Sequence, residues 1–221
     1  MDRLAVFCDF DGTITESDNI ISIMKQFSPP EWESLKDKVL AEEISIQEGV
    51  GRMFALLPSS LKEEITAYVL SQAKIREGFE EFIAYLKTES IPLYIVSGGI
   101  DFFIHPLLDK FGPFEAIYCN HSDFSGDAIK IIWPHECDEE CENGCGCCKP
   151  SIMRSRDEEG LYKIVIGDSI TDLQAAKKAD FVLARDLLLQ KSRELGLNHR
   201  PFTDFFDCIS ELKRLIGVVK L

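Results

Sequence analysis

Hydrophobic positions fall into two rhythms along this chain. Short apolar runs rich in β-branched and aromatic residues stand at Leu4–Cys8, Leu93–Val96, Ala116–Tyr118, Lys163–Ile166 and Phe181–Ala184. Runs without polar interruption, such as Tyr94–Val96 and Ile164–Ile166, suit strands covered on both faces, as in a parallel sheet. Between the runs, apolar residues recur at helical spacing over Phe79–Glu89, Asp101–Phe111, Lys149–Glu159 and Ile170–Ala179. Strand alternating with helix predicts an α/β fold, a parallel sheet sandwiched by helices. Such sheets bind ligands beyond the carboxyl ends of their strands.

Two stretches break the rhythm. Residues 17–75 hold no convincing strand and read as several helices, with breaks at Ser28-Pro29-Pro30 and Leu57-Pro58-Ser59-Ser60. A helical insertion there follows the first strand directly and would hang over the ligand edge. It divides the chain into a core, residues 1–16 and 76–221, and an inserted helical cap, residues 17–75. The second break, about 120–148, holds a Ser125-Gly126-Asp127 turn and the alternating run Ala128–Trp133, which predict a β-hairpin. A cysteine-rich loop follows it.

Composition narrows the possible partners. The 24 basic and 38 acidic residues leave a formal charge of −14. A strongly acidic surface repels nucleic acid and anionic membranes, so neither is expected as a partner. No apolar run is long enough to span a bilayer, and the start lacks the pattern of a signal peptide. A cytoplasmic location is expected, as monomer or homodimer. Among the eight cysteines, Cys8, Cys119 and Cys208 sit singly in apolar segments, as small buried hydrophobes do.

The chemistry gathers at strand ends. The first strand runs into Asp9-Phe10-Asp11-Gly12-Thr13, whose two carboxylates share one side of an extended backbone. Gly12 lets the backbone approach a ligand closely. The Leu93–Val96 strand leads into Ser97-Gly98-Gly99, a hydroxyl and bare backbone suited to phosphate oxygens. The Lys163–Ile166 strand leads into Gly167-Asp168-Ser169-Ile170-Thr171-Asp172, and Lys149 opens the preceding helix as a point charge. Carboxylates at a helix start also serve as ordinary caps, so this segment alone is ambiguous. Hard oxygens from Asp9 and Asp168 suit Mg²⁺.

The ordered set Asp-Phe-Asp-Gly-Thr, Val-Ser-Gly-Gly, Cys-Lys-Pro and Gly-Asp-Ser-Ile-Thr-Asp resembles the four motifs of the haloacid dehalogenase superfamily of phosphohydrolases. The inserted helices resemble the small cap of its phosphoserine-phosphatase-like branch. Within that branch, the Cys-Gly-x-Cys-Lys run at Cys145–Lys149 resembles the methionine-salvage members. The resemblance implies a Rossmann-like sheet and a phosphatase acting on a small phosphorylated metabolite, one bearing a methylthio group. Phosphoserine or another small phosphomonoester is the alternative. It further implies Asp9 as nucleophile and Asp11 as general acid and base. Mg²⁺ would lie on Asp9, Asp168 and the Asp11 backbone carbonyl, with Asp172 behind them. Gly12, Ser97, the Gly98 backbone and Lys149 would hold the phosphoryl group.

Other readings compete with these. A regulatory module that kept the fold but lost activity would not need both Asp9 and Asp11. A zinc-dependent interaction protein finds support only in the cysteine loop. Asp18 and Arg52 resemble cap-proximal substrate contacts, against the plainer reading of Arg52 as an exposed helical residue. Met24, Phe27, Met53, Phe54, Leu56 and Leu57 could line a methylthio pocket or pack the cap's own core. Four thiolates from Cys137, Cys141, Cys145, Cys147 and Cys148 could close a structural Zn²⁺ site, with His121 or His135 as substitutes. A redox-sensitive disulfide and an unliganded loop are the alternatives.

Overall fold

Arg3–Cys8 forms strand β1, exposed at its first residue and fully buried from Ala5 onward. In this computed structural model, which describes residues 3–141 and 143–219, β1 lies in the middle of a seven-stranded sheet. The other strands are β2 (Leu93–Ile100), β3 (Ala116–Asp123), β4 (Lys130–Ile132), β5 (Leu161–Gly167), β6 (Phe181–Ala184) and β7 (His199–Pro201). Their order is β4-β3-β2-β1-β5-β6-β7, parallel throughout except for β4 against β3.

The period of two explains the layering. Val6 and Cys8 of β1, Ile95 of β2 and Ile164 and Ile166 of β5 enter one core. Ala5 and Phe7, Val96 and Val165 enter the other. Helices α5 (Phe79–Thr88), α6 (Asp101–Leu108) and α10 (Phe205–Val219) cover the first face, where Phe205 packs against Phe79 and Phe82. Helices α7 (Lys149–Ser155), α8 (Leu173–Ala176) and α9 (Asp186–Glu194) cover the second.

Between β1 and α5 come α1 (Asn19–Phe27), α2 (Glu31–Leu40), α3 (Ile46–Phe54) and α4 (Lys62–Gln72). Both breaks expected from sequence separate helices here. A third lies between α2 and α3, where Glu42 takes a φ of 58° and the Ser45 side chain caps the Glu48 N–H. The two ends of the insertion meet in an antiparallel bridge between Thr15 and Ile75. Its far side touches the β3–β4 hairpin, with the Ile129 N–H donating to the Leu57 carbonyl at 2.9 Å. Among the described residues, no helix is long and apolar enough to cross a membrane.

Several boundaries depart from expectation. β2 does not end at Val96 but continues to Ile100, with its register against β3 shifting between those residues. The expected helix over Lys149–Glu159 stops at Ser155, before an acidic stretch that would oppose the helix dipole. The helix expected over Ile170–Ala179 is a 3₁₀ turn, Ile170–Asp172, followed by the short α8. It is tightened because the Asp172 side chain turns back to accept the N–H groups of Asp168 and Ser169. The helix over Asp101–Phe111 ends at Leu108 and carries Pro106, which leaves the Phe102 carbonyl without its helical donor.

Candidate active site

The site grows from the end of β1. The Asp9 N–H donates to the Ile166 carbonyl at 2.9 Å, carrying the strand pairing one residue further. Phe10 is fully buried in the core, so Asp9 and Asp11 project together on the opposite side. The chain then turns at Gly12, whose φ is +79°; a Cβ there would stand 2.4 Å from Asp168 Oδ2. Only glycine satisfies both the left-handed backbone and this close approach. Thr13 donates its hydroxyl to Asp168 Oδ1 at 2.7 Å, joining the first and last chemical segments.

Lys149, at the first turn of α7, is buried between two carboxylates. Its Nζ lies 2.7 Å from Asp9 Oδ1 and 2.5 Å from Asp172 Oδ1. Burial alone would lower the lysine pKa, but Asp172 and Asp9 push it well above its ordinary value. Burial and the neighbouring Asp172 raise the Asp9 pKa, against the pull of Lys149. Asp168 is raised to about 6, first by burial and then by Asp172. Asp172 has both oxygens engaged, one on Lys149 and one on backbone N–H groups, so it props the lysine and the turn.

Asp11 takes a different environment. Its Oδ1 accepts from the Asn19 side chain at 2.6 Å and from the Asn19 N–H at 3.1 Å. Among the described residues, its buried Oδ2 finds no hydrogen-bond partner. Burial, and then the charge of Asp18, raise its pKa to about 7 against the Asn19 bonds. A Cβ on Gly99 would come 2.5 Å from that same Oδ2, which places the Ser97–Gly99 segment beside Asp11. Ser97 is fully buried and its Oγ accepts from the Gly99 N–H at 3.0 Å, leaving its own proton to donate elsewhere. The Gly98 carbonyl is held by Asn120 Nδ2 at 2.7 Å.

Sequence reasoning missed three supporting residues. Asn19 positions Asp11, and Asn120 fixes the Gly98 backbone. Arg76, itself buried, donates to the carbonyls of Thr13 and Gly12 at 2.7 Å and of Thr15 at 3.2 Å. The one available signal was an asparagine directly after the helix-capping Asp18.

Other expected residues lie apart. Asp18 is exposed and caps α1, accepting from the Ile21 N–H at 2.9 Å. Arg52 is exposed on α3 and pairs with Glu48 at 3.1 Å. Met24, Met53, Phe54 and Leu57 are buried in the core, as in the plainer reading, while Phe27 and Leu56 stay half-buried. The thiols of Cys137, Cys141, Cys145 and Cys148 converge, whereas Cys147 turns into the second core with its thiol 3.8 Å from the Tyr118 carbonyl. His135 packs edge-on against Tyr118.

The donor set fits a hard divalent cation. Carboxylate oxygens of Asp9, Asp168 and Asp172 lie within 4.8 Å of one another. Among the described residues, a single ammonium, that of Lys149, contacts this set, and the unpartnered Asp11 Oδ2 lies close by. Burial and the neighbouring Asp172 disfavour the charged forms of Asp9 and Asp168, and a divalent cation held there would favour them.

Comparison with known proteins shows the family and the fold. Residues 6–177 match the model of the haloacid dehalogenase-like hydrolase family. A 2-hydroxy-3-keto-5-methylthiopentenyl-1-phosphate phosphatase of Geobacillus thermodenitrificans is 63% identical over 213 residues, 96% of this chain and 97% of its own. The phosphatase of the same name from Geobacillus kaustophilus is 63% identical, covering 98% of this chain and 99% of its own. A solved phospho-aspartyl intermediate analogue of phosphoserine phosphatase superposes with a TM-score of 0.71 at 17% identity, over 95% of this chain and 98% of that one. This last likeness shows the fold. The chain belongs to the haloacid dehalogenase-like hydrolase family, as one of its phosphomonoester hydrolases.

Proposed function

We propose that this protein is a Mg²⁺-dependent phosphatase of methionine salvage, acting in the cytoplasm on 2-hydroxy-3-keto-5-methylthiopentenyl 1-phosphate. Its products would be inorganic phosphate and 1,2-dihydroxy-3-keto-5-methylthiopentene. The observation that carries the chemistry is the buried Asp9–Lys149–Asp172 chain lying beside Asp168. The names of the relatives carry the substrate.

Asp9 is the nucleophile. Lys149 holds its Oδ1, which orients the carboxylate, and an oxygen of Asp9 attacks phosphorus as the bond to the leaving oxygen breaks. Asp11, protonated near neutrality because its pKa is about 7, gives its proton to that oxygen. The resulting Asp11 carboxylate then takes a proton from water, which attacks phosphorus and breaks the aspartyl-phosphate bond. Ser97 and the backbone at Gly98 and Gly12 line the phosphoryl site, and Lys149 supplies positive charge there. Asp9, Asp168 and the Asp11 carbonyl would hold Mg²⁺, with Asp172 keeping the lysine and the Asp168 turn in place. Bound there, the ion would neutralise charge on the phosphoryl oxygens. Helices α1–α4 act as the cap, with half-buried Phe27 and Leu56 offering apolar surface for a methylthio group. Phosphoserine fits less well, because Arg52 is engaged by Glu48 and the Asp18 carboxylate caps α1.

Phosphate release from a panel containing the methylthio substrate, phosphoserine and para-nitrophenyl phosphate, with and without Mg²⁺, tests this reading. The expected result is the highest kcat/KM on the methylthio substrate, only with Mg²⁺, and a loss of at least ~10³-fold in Asp9→Asn. A preference for phosphoserine would overturn the substrate, and an active Asp9→Asn would overturn the nucleophile.

A further inference from the structure

The cysteine loop between β4 and α7 takes no part in this phosphatase reading. The Sγ atoms of Cys137, Cys141, Cys145 and Cys148 all lie within 4.8 Å of one another, and those of Cys141 and Cys145 are 3.8 Å apart. Sulfurs each ~2.3 Å from a tetrahedral ion stand ~3.8 Å from one another. Sulfurs in a disulfide approach to ~2.05 Å. The Cys141–Cys145 separation, a thiol–thiol contact, matches that of two ligands sharing an ion and is far too long for a disulfide, and the cysteines are free thiols.

Backbone donors and a cation reach two of the sulfurs, while burial raises the thiols of Cys145 and Cys148 above their ordinary range. The backbone N–H of Asn143 points to Cys141 and that of Ser151 to Cys148, donors of the kind that support metal-bound sulfur. Arg154, held by Asp138 through its Nε at 2.7 Å, adds positive charge beside Cys148. Cys141 and Cys148 are buried and Cys137 and Cys145 half-buried, so the site is closed rather than open to substrate.

The loop also lies at a seam. The Gln47 N–H, in the first turn of α3, donates to the Gly144 carbonyl at 3.1 Å. The Trp133 ring sits between the loop and the same helix: a Cβ on Gly146 would come within 2.9 Å of it and one on Gly51 within 3.5 Å. The Cys148 N–H donates to the His135 carbonyl at 2.9 Å, and the next residue is Lys149.

We infer that Cys137, Cys141, Cys145 and Cys148 form a closed structural zinc site that fixes the seam between cap helix α3 and Lys149. Four sulfur ligands exclude Mg²⁺ and select a soft tetrahedral ion. Each ligating thiol gives up its proton to solvent as the metal–sulfur bond forms, and no electrons are exchanged. Cys147, one residue from the last ligand, stays outside the site.

The test uses the full chain, purified under reductant without added metal or chelator, by elemental analysis with thiol titration in denaturant. About one zinc per chain is expected, as in a closed four-ligand site. Cys137→Ser and Cys145→Ser should each lose the zinc, and Cys147→Ser should keep it. Should the serine variants misfold, cobalt(II) exchange into the native chain provides the second readout. A tetrahedral thiolate spectrum supports the site, and an octahedral or absent one overturns it. Hydrogen exchange after zinc removal should rise at the Gln47 amide and across residues 143–148 while β1 and β5 stay protected. Eight titratable thiols without zinc, two thiols missing as a disulfide, iron in place of zinc, or zinc lost from Cys147→Ser would each overturn the inference. None of these readouts depends on the phosphatase substrate, so the two readings fail separately.

Discussion

The Asp11 carboxyl is pulled two ways. Burial and the Asp18 charge favour its protonated form, and the hydrogen bonds from Asn19 favour its charged form. A general acid needs its proton, so kcat/KM on an alkyl phosphate should fall as pH rises through about 7. Asn19→Ala removes the 2.6 Å side-chain donor but keeps the 3.1 Å backbone one. The charged form loses support, the Asp11 pKa rises, and the alkaline limb should move up by about one pH unit. On para-nitrophenyl phosphate, whose leaving oxygen needs little help, the shift should shrink. A pH–rate profile that stays put on the alkyl ester would separate Asp11 from the proton transfer. Gly12→Ala probes the neighbouring contact. Its Cβ would strike Asp168 Oδ2 at 2.4 Å in a left-handed backbone. We expect Mg²⁺ affinity, read from the Mg²⁺ dependence of activity, to weaken by about 10- to 100-fold. Melting should register a further loss of about 1–2 kcal/mol for the backbone strain.

Among the elements, the root of the helical insertion is clamped by one bridge and one guanidinium. Arg76 follows the Thr15–Ile75 bridge and donates to three carbonyls of the Gly12–Thr15 turn. Arg76→Met would strand those carbonyls, at a cost of about 3 kcal/mol or more in denaturant melts. Arg76→Lys should recover only part, because an ammonium cannot reproduce the planar fork. A loss under 1 kcal/mol in Arg76→Met would show that water replaces the guanidinium. This clamp was illegible in the sequence, since its partners lie about sixty residues upstream. The strands were legible where burial on both faces makes an apolar run, and their polar successors Asp9, Ser97 and Asp168 marked the site edge. β7 was not, being three residues with exposed Arg200 and Pro201. The α2–α3 break was missed because it rests on the positive φ of Glu42 rather than on proline or glycine. Apolar residues at helical spacing cannot tell a pocket from a core, and most of the insertion's set proved to be core. The tetrad of cysteines shows the same limit, for only the folded loop separates Cys148 from Cys147.

At the scale of the whole molecule, the crowded carboxylates link stability to pH and, on the proposed function, to metal. Asp168 has a folded pKa of about 6 against an ordinary 3.8, and Asp9 is also raised. Between those values the folded chain binds more protons than the unfolded one, so stability contributed by Asp168 is complete below about pH 4 and lost as pH rises through about 6. In Mg²⁺-free buffer, melting temperature should therefore carry a falling contribution from Asp168 across that window. On the proposed reading, Mg²⁺ would bind the ionised carboxylates of the folded state alone and oppose the loss. At a hundredfold excess over its dissociation constant it would add about 2.7 kcal/mol. Protons compete for the same oxygens, so the rise in melting temperature on adding Mg²⁺ should be large at pH 7.5 and small at pH 5. The comparison calls for metal-free buffer rather than a chelator, which would also draw on the cysteine site. Equal Mg²⁺ effects at the two pH values would mean that the ion binds elsewhere than on Asp9 and Asp168.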